Sequence, residues 1–119
     1  MTALVKDILK REAASDWLID IIYCRDSDII PLNRRFKGHF RSTDVLAFDL
    51  REPGALSGEV YVNLQMARRQ ARENCVSYIE EVKRLTVHGV LHLLGYRDDA
   101  PKKRSLMWSR QESYLKLNG

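Results

Sequence analysis

The sequence predicts an α+β fold: a small mixed β-sheet packed against helices, with a metal site on the central helix and the loop after it. Three observations carry this expectation. Three short segments rich in β-branched and aromatic residues lie among five stretches whose apolar residues recur at helical spacing. The expected order is helix, strand, helix, strand, strand, helix, helix, helix, with the strands few and short. The length, 119 residues of which 45% are hydrophobic, suits one domain over 1–119 with a modest core.

The elements follow in order. Residues 3–15 are expected to form a first helix, with Leu4, Ile8 and Ala13 near one face and Lys6, Lys10 and Arg11 elsewhere. Residues 18–24, LIDIIYC, read as a strand. Asp26 or Ser27 can cap a short helix that ends near Gly38. Residues 44–49, DVLAFD, predict a second strand, and Pro53-Gly54 a turn. Residues 58–63, GEVYVN, alternate as a third strand, after which Asn63 can cap a helix over 64–74. Ser77 with Glu80 has the capping-box pattern for a helix over 78–94. Pro101 suits the first turn of a last helix over 101–117, with Leu106, Trp108, Tyr114 and Leu115 as apolar anchors.

Composition narrows the function. Lys and Arg exceed Asp and Glu by 20 to 16, and this mild basic excess is compatible with a polyanionic partner. No run approaches the ~18 apolar residues of a membrane span. The first residues lack the apolar stretch of a secretory signal. Cys24 and Cys75, far apart and outside any CxxC unit, read as two reduced thiols of a cytoplasmic protein.

The chemistry concentrates in residues 88–98, HGVLHLLGYRD. His88 and His92 are four apart on an expected helix, about 400° of rotation and ~6 Å of rise, so both imidazoles leave one face. Gly95 can adopt the left-handed conformation that ends the helix and turns the chain back. The turn brings Asp98 toward the imidazoles, with Asp99 a rival one residue on; the aspartate that does not ligate can cap the last helix. His88, His92 and Asp98 with an open fourth position have the composition of a catalytic zinc site. Gly89 stands where a HExxH protease carries its glutamate base, so peptidase chemistry is not expected. Glu80 and Glu81, two turns back, are expected to be solvated or to pair with Lys83 and Arg84.

A second segment, 32–48, LNRRFKGHFRSTDVLAF, places Arg34, Arg35, Lys37, His39 and Arg41 among Phe36 and Phe40. Charges interleaved with aromatic rings suit single-stranded nucleic acid, which offers phosphates and stackable bases; a solvated helix face over two core phenylalanines is the plainer alternative. Lys102-Lys103-Arg104 adds a smaller basic run beyond the candidate metal loop, while Arg68, Arg69 and Arg72 read as one exposed helix face. Thr43-Asp44 is expected to order the turn into the second strand.

These two segments resemble a known family. HGVLHLLGYRD is similar to the YbeY endoribonuclease signature HGxLHLxGYDH, and LNRRFKGHFRSTDVLAF to that family's block LNxxYRGxxxPTDVLSF. The likeness runs over about residues 17–117. It implies an α+β, zinc-dependent, single-strand-specific endoribonuclease that acts in ribosomal RNA processing, notably small-subunit 3′-end maturation, and in ribosome quality control. Its partners would be ribosomal RNA and the small subunit. One zinc per chain, or another divalent ion, would sit on His88 and His92, which match the family's first two histidines. Asp98 stands in the place of the third. Lys37 stands in the place of a family arginine; it keeps the positive charge without the bidentate fork. Family members open with a strand before the first helix, whereas this chain starts almost at the helix.

The expected chemistry is metal-assisted phosphodiester hydrolysis at His88 and His92, with Lys37, joined by Arg41, stabilising charge on the phosphate. Arg34, Arg35, Lys37 and Arg41 are the expected RNA contacts. No general base is identifiable. The alternative is a non-enzymatic, ribosome-associated RNA-binding factor with a structural metal; a third reading is a metal-dependent hydrolase of a small substrate.

Overall fold

A computed structural model of the chain describes residues 2–38, 41–53 and 55–118. The elements are α1 (Thr2–Arg11), β1 (Leu18–Cys24), α2 (Asp26–Lys37), β2 (Val45–Asp49), β3 (Ser57–Asn63), α3 (Leu64–Glu73), α4 (Tyr78–Leu93) and α5 (Pro101–Leu117). The sheet order is β1-β3-β2, with β1 parallel and β2 antiparallel to β3. The architecture is therefore α+β around a small mixed sheet, as the sequence predicts.

β3 is central, and its alternation sorts the two faces. Val60 and Val62 are fully buried against Val87, Val90 and Leu91 of α4, where α1, α3 and α5 add Ile8, Ala67 and Met107. On the opposite face Tyr61 joins Phe48, Leu46 and Cys24 beneath Ile29 and Leu32 of α2. Burial on both sides of one strand is the main apolar driving force available to so small a sheet.

Two glycines let α4 lie close on that sheet. A Cβ on Gly89 would stand 2.4 Å from Val60 Cγ1 and 3.0 Å from Val45 Cγ2. A Cβ on Gly58 would stand 2.7 Å from Leu93 Cδ1. Any side chain at residue 89 would push the histidine-bearing helix off its support.

Capping follows the sequence in most places. Asn63 Oδ1 accepts from the N–H groups of Gln65 and Met66 at 3.1 Å each, and Ser77 Oγ accepts from Glu80 N–H at 3.0 Å. The Glu80 carboxylate pairs with Arg84, so only the serine half of the expected capping box is seen. At α2 the cap is Arg25, whose N–H donates to Asp28 Oδ2. Asp26 and Ser27 are not the cap, because Asp26 faces the body of the protein. Its Oδ1 accepts from Ser42 (2.6 Å) and Asn63 (2.8 Å), and the carboxylate pairs with Arg69.

Two expectations about faces are corrected. α1 ends at Arg11 instead of residue 15, and its buried face is Leu4, Val5, Ile8 and Leu9, without Ala13. Ala13 adopts φ 54° while Ala14 N–H donates to the Leu9 carbonyl, a glycine-type helix stop made by alanine. That conformation costs about 1 kcal/mol or more, which tertiary bonds of the adjacent Glu12 offset. In α5 the buried residues are Met107, Gln111 and Tyr114, whereas Leu106 and Trp108 are 56% and 59% exposed. Both cysteines are free, Cys24 buried and Cys75 exposed. Among the described residues no helix is long and apolar enough to cross a membrane.

Candidate metal centre

α4 carries His88 and His92 on one face, one turn apart, with ring centroids 4.6 Å apart. The helix stops as the letters suggest. Gly95 has φ 101° and its N–H donates to the His92 carbonyl, while Tyr96 N–H donates to the Leu91 carbonyl. The reversed chain sets Asp98 Oδ2 3.3 Å from His92 Nε2 and 3.9 Å from His88 Nε2. The two Nε2 atoms are 3.1 Å apart. Asp99 is directed elsewhere, 3.5 Å from Lys103 Nζ and 4.0 Å from Arg97 Nε. Neither aspartate caps α5, whose cap is Ala100.

The partners of the other ring nitrogens define what these three atoms are. His92 Nδ1 lies 3.1 Å from the Tyr96 carbonyl, which can only accept, so Nδ1 bears the proton. His88 Nδ1 lies 2.9 Å from Gln111 Oε1. The Gln111 amide nitrogen donates to Glu112 Oε2 at 3.2 Å, which orients its oxygen toward His88. With both Nδ1 atoms protonated, two Nε2 lone pairs and a carboxylate oxygen converge on one point. They repel unless a positive charge sits among them. Burial, and next the neighbouring His88, hold His92 below the usual imidazole pKa despite Asp98. A divalent cation fits this donor set of two imidazoles and a carboxylate.

Around this point the structure assembles residues with no local signature. Arg84 grips Glu112 through two bonds of 3.0 Å and reaches Glu81 at 3.1 Å. Arg84 thus takes both nearby glutamates, Glu80 and buried Glu81, in the pairing the sequence suggests. Tyr96, whose carbonyl holds His92, donates its hydroxyl to Glu12 at 2.7 Å, and Tyr114 donates to the other Glu12 oxygen. A cleft of about 580 Å³ opens beside His88, between Asp44, Gln70 and Asn74 on one side and Arg84, Trp108 and Gln111 on the other. Sequence reading singles out neither Gln111 nor Glu12, and takes Trp108 for a core anchor.

The described basic residues of the second segment are not among those that line the cleft. Lys37 Nζ sits 5.6 Å from the Phe48 ring centroid, and Lys37 is not among the cleft-lining residues. Arg34 and Arg35 are exposed on α2, Arg35 over Phe36. Phe36 is 56% exposed but meets Phe48 edge-on. The Arg41 carbonyl accepts from Asn33 Nδ2 at 2.9 Å. From Arg41 the chain runs to Asp44, whose Oδ2 accepts from Gln70 Nε2 at 3.2 Å at the cleft. Thr43 Oγ1 reaches Asp44 Oδ1 at 3.5 Å, and Asn63 Nδ2 donates to the Thr43 carbonyl. His39 and Phe40 lie outside the described residues. In the smaller run Lys103 pairs with Asp99 and Arg104 donates to the Asp98 carbonyl. Arg69 and Arg68 are engaged by Asp26 and the Tyr78 ring.

Fold and site define a class: a small α+β protein with a His-His-Asp cluster on a helix and the loop that follows it. Comparison with known proteins makes the class particular. The family model described as Endoribonuclease YbeY matches residues 1–119. An Endoribonuclease YbeY of Chlorobaculum tepidum is 34% identical over 97% of this chain and 84% of its own length. One of Chlorobium phaeovibrioides is 36% identical over 97% and 78%. A Thermotoga maritima protein solved in solution has a TM-score of 0.70 and 32% identity, covering 97% of this chain and 76% of its own. The chain belongs to the YbeY endoribonuclease family.

Proposed function

We propose that this chain is a cytoplasmic zinc-dependent endoribonuclease that cuts single-stranded RNA. Its substrate is ribosomal RNA of the small subunit, in 3′-end maturation and in ribosome quality control. The observation that carries the metal reading is the convergence of His88 Nε2, His92 Nε2 and Asp98 Oδ2, with each Nδ1 facing an oxygen of its own. Family membership supports RNA as the substrate.

In this reading His88, His92 and Asp98 hold one zinc ion per chain. Bound zinc supplies Lewis acidity toward a phosphate oxygen. Arg34, Arg35, Lys37 and Arg41, outside the cleft lining, draw the phosphate backbone toward its Asp44 side, where Lys37 offsets phosphate charge as a point charge. Trp108, exposed at the cleft, offers a ring to an unpaired base, which favours single strands over duplex. The chain acts as one domain over 1–119, since a single main core draws on α1, β3, α4 and α5.

The test is restoration. Protein stripped of metal, rigorously freed of other nucleases and resupplied with zinc recovers cleavage of single-stranded RNA and not of duplex. His92→Ala gives a folded protein without cleavage. Absence of zinc-restored cleavage in the wild type overturns the enzyme reading. Unfolding of His92→Ala, together with retained RNA binding by an inert wild type, points instead to a structural metal in an RNA-binding factor.

A further inference from the structure

We propose that Gln111 is a positioning residue for this centre: its amide oxygen keeps the His88 proton on Nδ1 and leaves Nε2 bare as the ligand atom. The inference rests on reading the cluster as a metal site. A neutral imidazole free in water prefers its proton on Nε2, the wrong nitrogen for this geometry. Which nitrogen is protonated is set by the hydrogen bond the other one makes. For His92 the backbone carbonyl of Tyr96 does this unconditionally. For His88 the work falls to a side chain from another helix, and an amide can present either end. Gln111 is 3% exposed, which limits the competition of water for its oxygen. Its orientation is set from behind: the amide nitrogen donates to Glu112 at 3.2 Å, and Arg84 holds that carboxylate with two bonds of 3.0 Å. A flipped amide would lose the bond to Glu112 and turn its N–H₂ toward His88. Arg84, Glu112 and Gln111 thus form an ordered chain that ends on the ligand.

The experiment reads the tautomer without metal. Nitrogen-15 spectra of the apoprotein at alkaline pH assign the protonated nitrogen of His88 and His92 in wild type, Q111M and Q111E. The wild type is expected to carry the proton on Nδ1 of both. Q111M, similar in length but without the acceptor, moves it to Nε2 of His88 alone and weakens zinc binding about 10- to 100-fold. Q111E restores the acceptor, the Nδ1 proton and most of the affinity. A wild-type His88 protonated on Nε2 overturns the proposal, as does a folded Q111M with unchanged tautomer and zinc affinity. If Q111M does not fold, the wild-type and Q111E spectra decide. Failure of wild-type protein to bind zinc overturns the metal reading and leaves the tautomer comparison standing as the test of Gln111.

Discussion

Gly89 and Asp98 show how single residues shape this centre. Gly89 is read from sequence as the missing base of a protease, and in the fold it is the contact point between α4 and the sheet. Gly89→Ala is expected to destabilise the protein by about 1–3 kcal/mol through overpacking against Val60 and Val45, read from denaturant unfolding. Unchanged stability would mean that α4 can lift off β3 freely. Asp98 and Asp99 are indistinguishable by residue type, and their surroundings separate them. Asp98→Ala should lower zinc affinity by at least about 100-fold, while Asp99→Ala, which loses only exposed ion pairs, should leave it within a few-fold. Titration with zinc alone measures both, and equal effects would remove Asp98 from the ligand set.

At the scale of elements, α1 and α5 hold the loop after α4 from outside. Glu12, just past the end of α1, accepts from the hydroxyls of Tyr96 and Tyr114. Burial, and then the bonds to Glu12, push both phenols above their usual range, so they stay protonated donors. Glu12→Ala would leave the buried Tyr114 hydroxyl unsatisfied, at a cost of about 1–3 kcal/mol. It would also loosen the loop whose carbonyl orients His92, so thermal unfolding and hydrogen exchange at Tyr96 should both respond. A change in neither would show that the two hydroxyls find other partners. These contacts explain two elements the sequence renders imperfectly. The end of α1 has no glycine to announce it, because long-range bonds of Glu12 hold Ala13 in its turn. The buried face of α5 includes the polar Gln111, whereas apolar patterning points to Leu106 and Trp108.

For the whole molecule, Asp26 is the tie among segments distant in sequence. It joins the start of α2 to Ser42, to Asn63 at the end of β3 and to Arg69 of α3. These partners, Arg69 first, then Ser42 and Asn63, hold its carboxyl at about 2, down from 3.8. A carboxyl depressed in the folded state stabilises above its unfolded value and loses that contribution as the pH falls toward the folded one. Asp26→Asn should therefore be less stable than wild type at neutral pH, with the difference closing between about pH 4 and pH 2. Urea unfolding at several pH values checks this, and a gap constant with pH would refute it.

What could be read in the letters was local. The three strands, the caps at Asn63 and Ser77, Pro101 at the head of α5, and His88, His92 and Gly95 all depend on spacings within one or two turns, where backbone geometry alone relates the residues. A small sheet packed against helices followed from three short strands among five helices. What came only with folding were contacts between segments far apart in the chain: Gln111 on His88 across 23 residues, Glu12 on Tyr96 across 84, and Asp26 on Arg69 across 43. Such pairs leave no periodic trace, because side-chain hydrogen bonds depend on where whole helices come to rest. That resting place is set by the two glycines under α4 and the valines of β3, and it turns two histidines and an aspartate into one centre.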